Sequence, residues 1–522
     1  MENFDYDLRS IQEARELARK GEAAAKTMAG YTEEQIDRIL KSMVKAAEEH
    51  AACLAEMAVE ETGFGKALDK TYKNHMASTI VYNYIKDMKC SGIIHEDPVN
   101  KMMEVADPVG LIMGIVPSTN PTSTAIYKSM IAIKARNAIV FSPHPSALQC
   151  TLKAATLMRD AAVAAGAPEN VIGCLSMPSM GATDELMKCK ETSMIIATGG
   201  PGMVKAAYSA GKPALGVGAG NSPSYIERTA DVAQSVKEIL ASKTFDNGTV
   251  CASEQSVICE ECNRDQVIAE FKKQGGYFMT AEETAKVCNL LFKNGGHSMS
   301  AKFVGRSAQV IATAAGISIP DGTRVLIGEQ QGVGDGYPLS YEKLTTVLAF
   351  YTVRDWHEAC ELSIKLLQNG IGHTMNIHTN DPQIVREFSR KPASRILVNT
   401  GGTQGGTGAS TALAPAFTLG CGTWGGSATS ENVTPMNLVN IKKVVYGLKD
   451  VTTLAQSDPT FRPDFGCCRG SNAAGAQPSP MQFSGSCNCT TGNQGLPAQD
   501  GIDGKQLLEL VNELVNAMKG GN

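Results

Sequence analysis

The sequence has 522 residues, 43% of them hydrophobic, and its 48 basic and 53 acidic side chains give a net charge of −5. This length is enough for roughly three domains with sizeable cores. The near balance of charge excludes the strongly basic surface with which proteins bind nucleic acid or anionic membranes. We therefore expect a soluble globular protein whose ligands are small molecules, with no nucleic acid partner and no membrane partner.

The start of the chain, MENFDYDLRS, lacks the basic and apolar regions of a signal peptide, and no segment approaches the ~18 apolar residues of a membrane span. We expect a cytoplasmic protein. Its 15 cysteines are scattered and odd in number, which favours reduced thiols. Cys259 and Cys262 have CxxC spacing without a second pair of suitable spacing, so we predict no metal site. His373 and His378 lie in a segment that reads as a strand and turn, and we interpret both as structural.

Residues 5 to about 90 have helical periodicity, and Gly63 ends the second long helical run. From about residue 105 the pattern changes to short apolar runs separated by helical segments, as in VGLIMGIVPS, NAIVFSP and MIIATGG. A second alternating region runs from Ser222 to about residue 420, with strand candidates SPSYIE, QSVICE and RILVNT. Alternation of this kind predicts an α/β fold with parallel sheets, in two domains.

The composition changes beyond Asp450. Residues 451–500 are poor in charge and rich in small and polar residues, which predicts a flexible linker. Residues 501–522 follow with a capping-box pattern at Asp503 and an apolar face, predicting a short amphipathic helix. Such a helix is marginal alone and needs a partner, which is either this chain's own body or another protein.

In the stretch FDNGTVCASEQS, residues 245–256, Cys251 follows an Asn-Gly turn signal. A cysteine in an exposed turn with polarised backbone amides can have a pKa below the ordinary ~8.5 and act as a nucleophile. The alternative is one more buried structural cysteine. Two further stretches bear on this choice.

In IVPSTNPTS, Asn120 follows a strand candidate between two prolines, where its amide can donate to an oxyanion. In IIATGGPGMVKAA, residues 195–207, a strand candidate runs through glycines into a helix, as in sites where a pyrophosphate approaches a helix N-terminus.

Together these stretches resemble the aldehyde dehydrogenase superfamily over roughly residues 5–450. The resemblance implies that Cys251 is the nucleophile, that Asn120 is the oxyanion donor and that Glu342 in SYEKLTTVLAFY binds the nicotinamide-side ribose. It also implies a cofactor site formed by these other residues: Pro117, Ser142, Pro143, His144, Thr198, Gly199, Gly200, Val217, Gly218 and Leu344.

The departures from the superfamily pattern are informative. Val217 stands where hydrolytic members carry the glutamate that activates water, and Ser142 stands where they carry a lysine near the adenosine ribose, which disfavours NADP. Both features, with GIGHTMNIHT and TLGCGTWGG, are similar to the coenzyme A-acylating branch. A thiol of pKa near 8.5 is already partly thiolate at neutral pH, so coenzyme A does not need the base that water needs.

The resemblance implies NAD as cofactor, coenzyme A as co-substrate and oxidation of a short-chain aldehyde, propanal or ethanal, to acyl-CoA. It implies an aldehyde dehydrogenase-like fold in these parts: a Rossmann-type NAD-binding domain at 1–91 and 113–221, a catalytic domain at 222–435, and an oligomerisation arm at 92–112 and 436–447 that makes a homodimer or homotetramer.

The tail resembles the helices that target such enzymes to the protein shell of bacterial microcompartments, so residues 503–518 are expected to bind a shell protein and to place the enzyme in the microcompartment lumen. Two alternatives remain open: a hydrolytic aldehyde dehydrogenase that makes a free acid, and a shell-binding scaffold with an inactive body. The glycine-rich stretch at 399–410 either lines the aldehyde pocket or is a plain mobile loop.

Overall fold

A computed structural model describes residues 5–293 and 298–463. Its contacts divide the chain into two units, Met1–Leu448 and Lys449–Asn522. The predicted tail helix at 501–522 and all of the predicted linker beyond residue 463 lie outside the described residues. Among the helices of the described ranges, none combines the length and hydropathy that a bilayer crossing requires.

The first unit begins with five helices: α1 (Tyr6–Met28), α2 (Glu33–Glu49), α3 (Ala51–Thr62), α4 (Ala67–His75) and α5 (Val81–Ile85). The second helical run of the sequence is thus two helices, with a break at His50. Thr32 and Gln35 form a capping box that starts α2. Gly63 ends α3 in the left-handed conformation with φ +69°, as glycine readily does.

A five-stranded parallel sheet in the order β5-β4-β3-β6-β7 follows, consisting of β3 (Leu111–Val116), β4 (Ala138–Pro143), β5 (Ile172–Cys174), β6 (Thr192–Thr198) and β7 (Ala214–Val217). Its connections contain α6 (Pro121–Lys134), α7 (Leu148–Ala164), α8 (Met180–Lys188) and α9 (Pro201–Ser209). All residues of β3 and β4 are buried, as expected for parallel strands covered on both faces.

A seven-stranded parallel sheet in the order β10-β13-β14-β9-β8-β15-β16 holds the second half, consisting of β8 (Ser222–Ile226), β9 (Glu254–Glu260), β10 (Gly276–Phe278), β13 (Val325–Glu329), β14 (Val347–Val353), β15 (Gly372–His378) and β16 (Ala393–Val398). Seven helices accompany it: α10 (Val232–Thr244), α11 (Arg264–Lys273), α12 (Ala281–Leu291), α13 (Ala308–Ala315), α14 (Trp356–Leu367), α15 (Pro382–Phe388) and α16 (Gly402–Gly406). The predicted α/β fold with parallel sheets is confirmed.

Smaller elements complete the described chain. The strands β1 (Gly92–Asp97), β2 (Met102–Pro108) and β17 (Val439–Val445) form an antiparallel sheet in the order β1-β2-β17. The short strands β11 (Phe292–Lys293) and β12 (Ser298–Met299) pair with each other, and α17 (Leu454–Ser457) belongs to the second unit. The domain boundaries predicted inside the first unit stay a prediction, since the contacts do not divide that unit further.

Helix α1 packs against the five-stranded sheet through a glycine. A Cβ on Gly21 would lie 2.7 Å from Leu111 Cδ1 in β3, too close for any side chain without repacking. We predict that Gly21→Val lowers the melting temperature by about 2 to 6 °C, because overpacking a core typically costs about 1–3 kcal/mol. The control is Gly30→Val, where the nearest atom to an added Cβ is 3.8 Å away. Equal melting temperatures of the two variants in scanning calorimetry would contradict this packing.

Candidate active site

A cavity of about 380 Å³ lies where the first sheet's strands end. The segments after β3, β4, β6 and β7 line it, which is where parallel α/β sheets bind ligands. Every sequence-predicted site residue lines this cavity: Pro117, Asn120, Ser142, Pro143, His144, Thr198, Gly199, Gly200, Val217, Gly218, Cys251, Glu342 and Leu344. The structure therefore brings together side chains that are up to 227 positions apart, from Pro117 to Leu344.

A short helical turn, Phe245–Gly248, delivers Cys251 to the cavity. Three consecutive residues in it have positive φ: Asp246 at 49°, Asn247 at 53° and Gly248 at 75°. Asp and Asn adopt this left-handed region more readily than most residues, and Gly adopts it at no steric cost. A Cβ on Gly248 would also lie 2.8 Å from the Thr345 carbonyl oxygen. The turn signal in the sequence thus marks a tightly packed reversal just before Cys251.

The thiol of Cys251 is half-buried rather than exposed. Burial, followed by the nearby Glu342 carboxylate, raises the pKa of Cys251 to about 12, and the Arg395 guanidinium opposes this only in part. The expectation of an exposed turn with a lowered pKa is therefore wrong for this structure. Desolvation disfavours the thiolate more strongly than the surrounding dipoles favour it. A contact with the Cys251 backbone N–H also opposes the rise of this pKa.

His373 in β15 contacts Cys251, with its Nε2 3.2 Å from Cys251 Sγ. Its Nδ1 lies 2.7 Å from Thr374 Oγ1. Burial, aided by the Arg395 charge, lowers the pKa of His373 well below its ordinary value, so the imidazole is neutral at physiological pH. The interpretation of His373 as purely structural is incomplete, because its ring contacts Cys251. His373 is the second residue of β15, and nothing in the local sequence indicates this contact. His378 is buried in the same strand and does not line the cavity.

Asn120 precedes α6 and directs its amide by three contacts. Its Nδ2 donates to the Thr249 carbonyl and to Thr119 Oγ1, both at 3.2 Å. Its Oδ1 accepts a hydrogen bond of 2.6 Å from Lys73 Nζ. The sequence reasoning did not identify Lys73, although Lys70 and Lys73 share one face of α4 with the buried Met76 and Ala77 that follow it.

Glu342 lines the cavity beside the segment that connects the two parallel sheets. Gly220 N–H donates to Glu342 Oε1 at 2.9 Å, and burial raises the pKa of this carboxyl to about 7. A Cβ on Gly220 would lie 2.0 Å from the Cys251 carbonyl oxygen, so this position requires glycine. The close approach fixes Glu342 and Cys251 relative to each other.

The cavity walls fit a dinucleotide. An added Cβ would meet nothing within 4 Å at Gly199, Gly200, Gly202 or Gly218, so these backbones face open space at the start of α9 and after β7. Exposed glycine backbone at a strand-to-helix turn is what a pyrophosphate needs. Ser142 is less available than expected, because its hydroxyl pairs with Thr183 Oγ1 at 2.9 Å.

The stretch 399–410 contains the buried helix α16 rather than a plain mobile loop. Thr403, Gln404, Thr407 and Ala409 line a second, small cavity beside the nucleophile turn, together with Phe417. This stretch therefore lines a cavity, and its role in binding the aldehyde stays a prediction.

Comparison with known proteins agrees with this architecture. The model of the aldehyde dehydrogenase family matches residues 5–280. The bifunctional aldehyde-alcohol dehydrogenase of Escherichia coli (strain K12) is 46% identical over 442 residues, which are 83% of this chain and 49% of that protein. The chain thus spans about half the length of this relative and of other aldehyde-alcohol dehydrogenases that it matches.

Two solved structures are similar over nearly their whole length. The acetylating aldehyde dehydrogenase from Geobacillus thermoglucosidasius is 53% identical with a TM-score of 0.84, covering 85% of this chain and 99% of that one. The propionaldehyde dehydrogenase of the Clostridium phytofermentans fucose utilisation bacterial microcompartment is 25% identical with a TM-score of 0.76, covering 83% and 97%. The predicted similarity to acylating oxidoreductases is confirmed, and the chain belongs to the aldehyde dehydrogenase family.

Proposed function

We propose that this protein oxidises a short-chain aldehyde to its acyl-CoA thioester with NAD, through an acyl group on Cys251. The observation that carries the proposal is the position of the Cys251 sulfur, 3.2 Å from a neutral imidazole and in one cavity with the Asn120 amide and open glycine backbone. A nucleophile, an amide donor and a dinucleotide-sized space are the parts that this reaction needs.

The first step forms a bond between Cys251 Sγ and the aldehyde carbon, while the carbonyl π electrons move to oxygen. His373 Nε2 is the basic atom in contact with the thiol and accepts its proton as the sulfur attacks. One Asn120 Nδ2–H group, exchanging its 3.2 Å contact with Thr119 Oγ1 for the substrate oxygen, and the Cys251 backbone N–H stabilise the new oxyanion. The nicotinamide ring of bound NAD supplies the hydride acceptor. Loss of hydride from the former aldehyde carbon leaves a thioester on Cys251.

Transfer to coenzyme A completes the cycle. The coenzyme A thiolate attacks the thioester, the acyl group moves to the new sulfur, and Cys251 leaves as thiolate and regains a proton. Water is a poor competitor because Val217, 2% exposed, offers no base at the position where hydrolytic members carry glutamate. Water, with a pKa of about 15.7, needs such a base, whereas a thiol near 8.5 does not.

The second cavity favours a short and uncharged aldehyde. It shares Val250, Thr407 and Phe417 with the large cavity that Cys251 lines, and its other aromatic and aliphatic walls are Tyr72, Met76 and Phe245. Lys73 is the charged residue among its lining, and its ammonium already donates to Asn120, Asp246 and Thr249. An ammonium has three N–H groups, so none is left for the carboxylate or sulfonate of an anionic aldehyde. We infer ethanal or propanal as substrate.

NAD rather than NADP fits the described cavity wall. No Lys or Arg occurs among the residues that line the large cavity in the described ranges, so the 2′-phosphate of NADP lacks a cationic partner there. The hydroxyl of Ser142 is already paired with Thr183.

We also propose that the enzyme pairs with copies of itself through the antiparallel arm. The last strand of that sheet has exposed apolar side chains, among them Ile441 at 48% and Val445 at 65%. A second copy would cover them. For the tail we propose shell binding through residues 503–518 in a cytoplasmic microcompartment, which is supported by the sequence pattern and by the setting named for the Clostridium phytofermentans relative.

The catalytic proposal predicts that NADH formation from ethanal or propanal depends on added coenzyme A. We expect Cys251→Ala to lower kcat by at least about 10⁴-fold, because loss of a nucleophile removes the covalent path. Cys90→Ala, which removes another buried thiol that does not line the cavity, is the matched control with kcat within about twofold. NADH formation at full rate without coenzyme A, with release of free acid, would establish the hydrolytic alternative. No NADH from any short aldehyde would favour the inactive scaffold.

The electrostatics of the thiol predict its reactivity. Because the pKa of Cys251 is raised to about 12, its thiolate fraction and its rate of alkylation by iodoacetamide increase about tenfold per pH unit from pH 7 to 9. The Glu342 carboxylate raises this pKa, so Glu342→Gln lowers it and speeds alkylation at pH 8 several-fold.

Mass spectrometry of the Cys251 peptide measures this rate separately from that of the exposed Cys53 and Cys262. A plateau of the wild-type rate near pH 7 would contradict the raised pKa. An unchanged rate in Glu342→Gln would contradict the electrostatic coupling of the two groups.

The tail proposal predicts that removing residues 501–522 leaves kcat and KM within about twofold and abolishes association with the shell. Kinetics of the purified truncated enzyme and its distribution between shell and soluble fractions of the host measure the two effects. Shell association that persists after truncation, or a large loss of turnover, would show that the helix binds the enzyme's own body or another partner.

A further inference from the structure

The buried ammonium of Lys73 lies directly behind the oxyanion donor. Lys73, in α4, is 2% exposed. Its Nζ donates to Asn120 Oδ1 at 2.6 Å, to Thr249 Oγ1 at 3.0 Å and to Asp246 Oδ2 at 2.5 Å. The three acceptors match the three N–H groups of an ammonium, so this lysine is saturated without any ligand.

These contacts decide which way the Asn120 amide points. An amide has a donor end and an acceptor end, and an ammonium has donors alone, so the end that contacts Lys73 is Oδ1. The NH₂ end is thereby directed to the cavity wall, where it donates to Thr249 O and Thr119 Oγ1, both of them residues that line the cavity. If the amide turned over, its oxygen would face the developing oxyanion and repel it. A charged donor on Oδ1 also polarises the amide and strengthens Nδ2–H as a donor.

We propose that Lys73 is a positioning residue for the oxidation, one that fixes and polarises the Asn120 amide as oxyanion donor. This inference rests on the proposed function, since it needs an oxyanion at Cys251. Lys73 acts through Asn120, and its own N–H groups are all occupied by protein atoms.

Asp246 is the carboxylate that pairs with the buried ammonium of Lys73. Its Oδ2 accepts from Lys73, from Lys70 at 2.9 Å and from Thr249 Oγ1 at 2.7 Å, while its Oδ1 accepts from the Lys66 backbone N–H at 2.7 Å. The two ammonium groups lower the pKa of Asp246 and keep it charged. Burial lowers the pKa of Lys73 to about 8, and the Asp246 carboxylate opposes this shift, so Lys73 is protonated at neutral pH.

The backbone is shaped for this carboxylate. Asp246 has φ +49°, and a Cβ on Gly65 would lie 1.8 Å from Asp246 Oδ1, so Gly65 has to be glycine to admit it. Asp246 also lies in the turn Phe245–Gly248, five residues before Cys251. One ion pair therefore holds the oxyanion donor and the nucleophile turn together.

A double-mutant cycle tests the proposal by steady-state kinetics with propanal, NAD and coenzyme A. Loss of an oxyanion donor typically costs about 10²–10³ in kcat, which is the effect expected for Asn120→Ala. We expect Lys73→Met to lower kcat about 10- to 100-fold with KM for NAD and coenzyme A within about twofold. In the Asn120→Ala background, Lys73→Met should change kcat by no more than about twofold, because its target is gone.

The control is Lys134→Met, which removes another buried ammonium, 3% exposed, from the far end of α6, where it bonds Glu33 and the Lys86 carbonyl. We expect it to lower the melting temperature and leave kcat within about twofold. Lys73→Gln, which keeps an N–H donor and loses the charge, is measured in the same cycle as a second variant with an expected kcat between wild type and Lys73→Met.

The outcomes separate the two proposals. Unchanged kcat in both Lys73 variants, or effects of Lys73 and Asn120 that multiply in the double variant, would overturn the positioning role while the proposed function stands. Wild-type enzyme that forms no coenzyme A-dependent NADH would overturn the proposed function and this inference with it. Full activity of Asn120→Ala would overturn the oxyanion role and therefore the inference.

Discussion

The candidate active site depends on one glycine, Gly220, in the segment of chain that connects the two parallel sheets. Gly220 lies between β7 of the first sheet and β8 of the second, and its missing side chain lets it pass the Cys251 carbonyl, where a Cβ would be 2.0 Å from the oxygen. The same residue donates its N–H to Glu342 and lies beside the His373 ring. A larger residue at position 220 would move the cavity at the first sheet away from Cys251.

Similar close contacts surround this crossing. An added Cβ would lie 2.2 Å from Asn221 N at Gly370, 2.0 Å from Cys421 O at Gly372 and 2.3 Å from Ala252 O at Gly402. Each contact joins backbone to backbone, which cannot shift as a side chain can. The reacting groups are therefore held by the main chain, and tightly packed interiors of this kind allow little misplacement. Glycine is therefore required at these positions by the close approach of neighbouring backbones.

Much of the fold follows from local sequence patterns and most of the candidate site from the resemblance to a known family, and the parts that neither predicts share one cause. Alternating apolar runs and helices predict the parallel sheets, and the Asn-Gly pair at Asn247 predicts the turn that precedes Cys251. The contacts from Lys73 to Asn120 and Asp246 and from His373 to Cys251 join residues 47, 173 and 122 positions apart. No local pattern encodes such pairs. The expectation of a lowered pKa for Cys251 is wrong for the same reason, since the burial that raises this pKa is a property of the assembled site.

A protonated thiol beside a neutral imidazole is consistent with the acyl transfer between two sulfurs that we propose. Burial favours the protonated form of Cys251, and the Arg395 charge lowers the cost of the thiolate without overcoming that burial. After the acyl group has formed, a neutral His373 in a buried setting is a weak base toward water. Coenzyme A needs no strong base, because its thiol ionises at a pH many units lower than water. The same desolvation that restrains the nucleophile therefore also favours a thiol over water as the acceptor of its acyl group.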